Sequence, residues 1–397
     1  MKTALLSVLV SSVAFAGGFA VSEQDAAISG RAGAGVGSSD DAAAIHFNPA
    51  GLALVKDASV VAGATAIIPS VSAKNPSSGQ ATSNVTAVKV PPHVYGAYGF
   101  GNWALGVGFN APFGGGLQWP VQWPGRFALT QMDLQVLATH LGAGLRINDQ
   151  WSVGLAVTLY RVDVYLNKAV DFVDSEGSAQ LGGGGWAFGG GLGVNWAPRA
   201  DLSFGLTGRI PASAALSGRV HFEQVPGAFQ STLPDQTISS QMTLPGSVAL
   251  GGKGDLGKVR LYGEIAYTFW SSFDSFKVQF ANATTPGVNE PRHWQNAPTF
   301  RLGAEKDFGV TTVRAGALLD LAASPADTLD PSLPDSTRIG FSLGAGRPVG
   351  PVKVDLAYQF VAFLPRTSSG DAFPAQYNAS AHLIALSLRW AQTTAAP

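Results

Sequence analysis

Val352-Lys353-Val354-Asp355-Leu356-Ala357-Tyr358-Gln359-Phe360 is the stretch whose reading decides the fold. In an extended chain successive side chains point to opposite faces. Val352, Val354, Leu356, Tyr358 and Phe360 then share one face, and Lys353, Asp355, Ala357 and Gln359 share the other. A slip of one residue would drive Lys353 and Asp355 into the apolar side, at roughly 2–4 kcal/mol for a lysine in mid-bilayer. The same division recurs at residues 259–269, with Arg260, Glu264 and Thr268 on the polar face, and at 339–345, with Arg338, Gly340 and Ser342. At 382–390 the apolar face carries His382, Ile384, Leu386, Leu388 and Trp390. Such strands suit a wall with lipid outside and a polar lumen inside.

Composition points the same way. Only 13% of the 397 residues are charged, too few for the surface of a soluble domain this size. Yet no window beyond the first residues offers the ~18 apolar residues of a helical span. A closed transmembrane β-barrel meets both conditions, because every backbone group pairs with a neighbouring strand. A net charge of −1 gives no electrostatic case for nucleic acid. The absence of cysteine leaves no disulfide framework or thiolate site.

Short connections are expected at 100–102, 148–150, 198–200, 252–258, 307–309 and 346–350, where Gly, Asn, Asp and Pro supply turns. Longer polar stretches fall at 70–84, 112–125, 168–184, 211–236, 271–296, 321–335 and 365–378. Seven long and six short connections join fourteen antiparallel strands, with the long loops outside and the short turns in the periplasm. The inward ionisable groups, His140, Arg146, Arg260, Glu264, Arg301, Glu305, Arg314, Asp320, Arg338, Lys353, Asp355 and Arg389, mix both signs and are expected to brace the lumen as a salt-bridge network.

Residues 1–16 read as a cleaved signal peptide: Lys2, an apolar core from Ala4 to Val13, and Ala14-Phe15-Ala16 before the cut. Residues 17–57 are small and helix-prone and read as a hatch, 58–390 as the barrel, and 391–397 as a tail beyond Trp390. Within the hatch, Asn48 suits an N-cap and Pro49 the first helical position, so a short helix should begin there. Asp40 or Asp41 can cap the turn before it. Gly33, Gly35 and Gly37 lack the preceding strand of a nucleotide loop and fit close packing of the hatch against the wall.

Asp40-Asp41-Ala42 leading to Asn48-Pro49-Ala50, Trp123-Pro124-Gly125-Arg126-Phe127, Leu244-Pro245 through Gly251, Trp294 through Gly303, and Leu333-Pro334-Asp335 through Arg338 together resemble the FadL family of outer-membrane transporters. The resemblance implies a monomeric, hatch-plugged, fourteen-stranded barrel in the outer membrane of a Gram-negative bacterium, surrounded by lipid and lipopolysaccharide. It implies uptake of hydrophobic compounds, long-chain fatty acids or aromatic hydrocarbons depending on the member, with release sideways through the wall. Asn48, Pro49 and Ala50 are then hatch residues, and Asn48 is expected to touch an inward bend of the third strand. Gly106, Gly108, Asn110 and Pro112 suit that bend, since glycine permits it and proline removes a ladder hydrogen bond. Phe113, Leu117, Trp119, Val121, Trp123 and Phe127 gather large apolar groups in a loop facing outside and suggest a capture groove. The alternative is aromatic packing at the rim. Arg126 fits either a ligand carboxylate or a tie from loop to barrel. No cofactor or metal is implied, and the six histidines form no hydrolase constellation with the serines. An outer-membrane hydrolase and an open porin are the competing functions.

Overall fold

A computed structural model of the chain describes residues 18–370 and 373–392. The expected signal peptide and the last five residues of the tail lie outside the described residues. The alternating stretches form one closed antiparallel barrel of fourteen strands. They are β1 Ala58–Lys74, β2 Pro92–Gly99, β3 Trp103–Gln118, β4 Gln131–Arg146, β5 Trp151–Asp171 and β6 Glu176–Arg199. Four interrupted strands follow: β7 (Leu202–Arg209 and Ala212–Glu223), β8 (Gln236–Leu244 and Ser247–Leu256), β9 (Val259–Thr268 and Ser275–Phe280) and β10 (Val288–Pro291 and Ala297–Phe308). The last four are β11 Thr311–Asp320, β12 Arg338–Val349, β13 Val352–Phe363 and β14 Gln376–Ala391. β14 closes on β1 from Ser59↔Ala391 to Lys74↔Gln376.

The register is the one that the side-chain chemistry demands. In β13, Asp355, Ala357 and Gln359 are buried in the lumen, while Leu356 and Tyr358 are exposed on the outside. At the end with short turns the outer face carries an aromatic girdle, with Phe100 stacked on Trp103 at 4.4 Å and Trp196 between Trp151 and Phe204. Such belts sit at membrane interfaces, where an amphipathic ring is half apolar and half wet.

All thirteen connections occur, but several expected loops are partly strand. The 168–184 stretch contributes only residues 172–175 to a turn, because β5 and β6 run on as a long ribbon. β3 continues to Gln118, β7 to Glu223, and β9 and β10 extend into 271–296. Past the membrane a ladder needs no apolar outer face, so polar and glycine-rich sequence pairs there as well as it loops.

The hatch occupies the lumen. It holds α1 Ala26–Ser29, α2 Ala44–Phe47 and a 3-10 helix Pro49–Leu54, all but Leu54 buried. Asn48 caps the last of these by accepting from Ala50 N at 3.1 Å, and Asp41 Oδ1 accepts from Ala43 N at 2.8 Å before α2. Close packing explains the glycines that face the hatch. A Cβ on Gly37 would lie 2.7 Å from Gly251 C, and one on Gly106 would press on Leu52 and Ile45.

Lumenal charges weld hatch to wall. Arg260, Glu305, Arg314, Asp355 and Arg389 form a continuous chain, with Arg314 Nε 2.6 Å from Glu305 and Arg314 Nη1 2.8 Å from Asp355. Arg389 also pairs with Asp25 and Asp41 of the hatch. Glu264 accepts from Arg301 at 2.9 Å and from the hatch amides of Gly35 and Val36 at 2.9 Å each. Arg338 pairs with Asp320 at 2.6 Å. Among the described residues, three of the expected groups stand outside this network: Arg146 sits at the exposed β4–β5 turn on Asp149, because its strand ends there, Lys353 meets only the Thr312 hydroxyl at 3.5 Å, and His140 bonds to Thr158 and Asn110.

Candidate functional site

Three features of the lumen lie in sequence from the outer rim inwards. The outermost is an apolar cavity of about 720 Å³, bounded by Leu129, Met132 and Leu134 of the β4 region, Val164 and Leu166 of β5, Leu216 and Val220 of β7, Met242 of β8, Phe273 and Phe276 of β9, and Leu329 and Leu333 of the β11–β12 loop. This volume falls within the roughly 300–1,000 Å³ of small-molecule sites. Its cations are Lys168 and Arg292, and Arg292 is already shared by Asp330 and by Glu290 at 3.0 Å.

Phe127 lines this cavity. The rest of the expected capture loop is placed differently. Trp119 and Trp123 are 1% and 2% exposed and stack at 4.4 Å, and Trp119 Nε1 donates to Pro331 O at 3.2 Å. Leu117 is buried beside them, and Val121 faces solvent. The tryptophans thus brace the β3–β4 loop against the β11–β12 loop behind the cavity wall. Arg126 forms a two-pronged ion pair with Glu176 at the start of β6, Nε lying 3.0 Å from Oε2. Phe113 lies deeper and does not line this cavity.

Below comes an aromatic closure. β9 is interrupted between its two segments and β10 between Pro291 and Ala297, and there Trp270, Phe273 and Trp294 turn inward. They meet Phe19 of the hatch at ring distances of 4.8, 5.3 and 6.0 Å, and Phe113 meets it from β3 at 5.9 Å. Phe19 is fully buried. Nothing in the sequence marked it, since a single phenylalanine after the leader has no periodic context.

The third feature is a break in the wall at β3. Its pairing with β2 ends at His93↔Asn110. On the other side, towards β4, Asn110 faces Ala138 and Phe113 faces Val136, so Ala111 and Pro112 lie opposite the single Leu137: a one-residue bulge. Beyond it the β3 backbone turns to the hatch. Val21 N donates to Pro112 O at 2.9 Å, Gly114 N to Phe19 O at 2.8 Å, and Gln24 Nε2 to Ala111 O at 2.8 Å. Among the described residues, β3 regains a backbone bond on the β2 side only where Val85 N meets Gln118 O. Between those points the wall lacks a ladder. Lys89 crosses it to Asp133 of β4 at 2.8 Å.

Asn110 ties this bulge to the hatch. Its amide nitrogen lies 2.9 Å from His46 Nδ1 and 3.0 Å from the Tyr95 hydroxyl, and its Oδ1 lies 3.0 Å from His140 Nε2. His140 Nδ1 in turn meets Thr158 Oγ1 at 2.8 Å. Asn48 does not reach β3. Its side chain donates to Asn195 Oδ1 at 2.7 Å and Val194 O at 3.2 Å on β6, and to Val36 O within the hatch, while Gly193 leaves space for it. Gly106 and Gly108 lie below the bulge and admit Ile45 and Leu52 rather than bending the strand.

The sequence profile described as "Outer membrane protein transport protein (OMPP1/FadL/TodX)" matches residues 7–391. A long-chain fatty acid transport protein of Salmonella typhi is 24% identical over 85% of each chain. Among solved structures, a Pseudomonas aeruginosa FadL homologue superposes with a TM-score of 0.86 at 18% identity, covering 94% of this chain and 99% of that one. The Pseudomonas putida toluene transporter TodX superposes with a TM-score of 0.74 at 16% identity over the same shares. At these identities the two structures speak for the fold alone.

Proposed function

Because the chain belongs to the OMPP1/FadL/TodX family of outer-membrane transport proteins, we propose that its substrates are long-chain fatty acids, bound in the outer cavity and released sideways at the β3 bulge. The observation that carries this reading is the alignment of the 720 Å³ apolar cavity, the Phe19 closure and the unladdered stretch of β3 along one path. Apolar solutes gain by leaving water for such a surface at roughly 25 cal/mol per Å². Uptake is then passive: a bound chain competes with Phe19 for its aromatic partners, the hatch segment shifts, and the chain leaves through the wall into the bilayer. Phe127 contributes to capture, and Asn48, Pro49 and Ala50 hold the rest of the hatch in place. The residues act by binding and gating, and no catalytic step is assigned to them.

A second reading has its own support. The outer cavity is lined mainly by carbon, and its arginine is neutralised by two carboxylates, which suits an uncharged arene such as toluene. Competition binding on the purified, folded barrel separates the two: a fluorescent long-chain fatty acid is displaced by oleate or by toluene. Displacement by oleate at much lower concentration supports the fatty acid reading. Preference for toluene replaces it with hydrocarbon import, and binding of neither removes both. An open porin would instead let proteoliposomes swell rapidly in small sugars.

A further inference from the structure

Beneath the Phe19 closure lies a second cavity of about 140 Å³, more polar than the outer one, and one of its walls is Arg209. Arg209 ends the lower segment of β7, on the inward face with Gly205 and Thr207. Its guanidinium donates to His46 O at the end of α2. Among the described residues no carboxylate lies within ion-pairing distance of it, whereas Arg260, Arg301, Arg314, Arg338 and Arg389 of the same wall each have at least one. Glu264 is the one carboxylate lining the same cavity, and its two oxygens are already taken by Arg301 and by the amides of Gly35 and Val36. The cavity therefore carries a net positive charge that the protein does not answer. Burying such a charge is unfavourable unless an anion or water meets it.

The surroundings fit a small planar anion attached to an apolar chain. Tyr160 lines the same space beside Thr158 and Thr207, whose hydroxyls already meet His140 Nδ1 and Leu192 O, and the space has room for a carboxylate and several waters. Pro112 and Phe113 of the bulge and Ala20 and Val21 of the hatch form another wall, so the cavity opens towards the unladdered part of β3. A guanidinium binds carboxylate through two parallel N–H···O bonds, a geometry that an alcohol or an arene cannot reproduce.

We propose that Arg209 is a specificity-determining residue: it receives the carboxylate of the passing substrate beside the wall gap and favours anionic amphiphiles over uncharged hydrophobes. This rests on the transport reading above and adds to it where substrates are distinguished, below the outer cavity. The His46 O contact offers a competing explanation, that Arg209 merely fastens the hatch. The variants are chosen to tell the two apart, since glutamine keeps a donor for His46 O without the charge and lysine keeps the charge.

The experiment is delivery of oleate and of oleyl alcohol into liposomes holding the full barrel, with wild type, Arg209→Gln and Arg209→Lys, each checked for heat-modifiable folding. Arg209→Gln is expected to slow oleate at least tenfold while leaving oleyl alcohol within twofold of wild type, and Arg209→Lys is expected to recover most of the oleate rate. Equal slowing of both substrates in Arg209→Gln assigns the residue to hatch fastening and overturns the proposal, as does an oleate rate that does not change. If Arg209→Gln does not fold, the lysine variant decides: selectivity for oleate over the alcohol must persist in it. Failure of wild type to deliver either substrate overturns the transport reading itself, a result distinct from the others.

Discussion

Replacing Arg389 with methionine removes the cation that joins three carboxylates. Its Nε lies 2.8 Å from Asp355, and its two terminal nitrogens reach Asp41 and Asp25 of the hatch. Asp355 keeps Arg314 at 2.8 Å, so the loss falls on Asp25, which is fully buried, and on Asp41. Removing one partner of a buried ion pair costs about 3–5 kcal/mol. Arg389 sits at the base of the hatch, so this cost appears as easier release of the hatch from the wall, a shift of roughly two to three and a half powers of ten in that equilibrium at ~1.4 kcal/mol per tenfold. The strands keep their ladders, and global unfolding should move far less. Hydrogen exchange by mass spectrometry reads this directly, because the amides of Ile28, Ser29 and Gly30 are bonded within the α1 turn that Asp25 caps. The expectation is a hundredfold or greater loss of protection there, with β11–β13 amides unchanged. Adding Asp25→Asn and Asp41→Asn should restore much of the protection, since the stranded charges are gone. Unaltered exchange of α1 in Arg389→Met would refute the assignment of this network as the hatch's main anchor.

Other outcomes follow from the same geometry. Asn48→Ala leaves Val36 O, Val194 O and Asn195 Oδ1 without their shared donor, at about 1–3 kcal/mol; uptake should change at normal expression, and identical uptake would remove Asn48 from the gating step. Burial, then Arg209, His140 and His93, hold His46 well below the usual imidazole value, and its Nδ1 lies against Asn110, close to Tyr95. The unfolded hatch therefore binds the proton more readily than the folded one, so hatch stability is full above about pH 6.5 and declines as pH falls below it; proteolysis of the hatch should accelerate between pH 7.5 and 5, and a flat profile would contradict the burial of His46. Lys89→Met unfastens the pair with Asp133 across the outside of β3; lateral delivery should become faster and binding in the outer cavity should stay the same, and slower delivery would mean that the pair shapes the exit instead of latching it.

The barrel was legible because lipid outside and charge inside leave few registers open. Lys353 and Asp355 could face only the lumen, and a single strand of that kind constrains its neighbours through the ladder. Where lipid is absent the constraint lapses, and the Lys168 to Gly184 region, polar and rich in glycine, reads as a loop although it is largely strand. Prolines were ambiguous in the same way. Pro112 marks a bulge and Pro211 an interruption within β7, yet both stood at the edge of expected loops. Residue types at the gate were readable, partners were not: Asn48 and Asn110 are alike in chemistry, and only the fold sends one to β6 and the other to the bulge. Trp119 and Trp123 show why an apolar loop is weak evidence for a binding groove, since a buried brace and an open one have the same composition. Phe19 and Arg209 lie where no motif points, and they became visible only through what surrounds them.

Lateral exit at the bulge is tested most directly by deletion of Pro112. The bulge holds one residue more than the β4 side, so the deletion would set Asn110, Ala111 and Phe113 opposite Ala138, Leu137 and Val136 in regular register. The straightened strand would run alongside residues 85–91 instead of turning to the hatch. Substrate binding in the outer cavity and delivery into liposomes are measured on the same preparation. Binding is expected within a few-fold of the intact protein and delivery reduced to background; delivery at the original rate through a folded, straightened barrel would rule out lateral exit at the bulge.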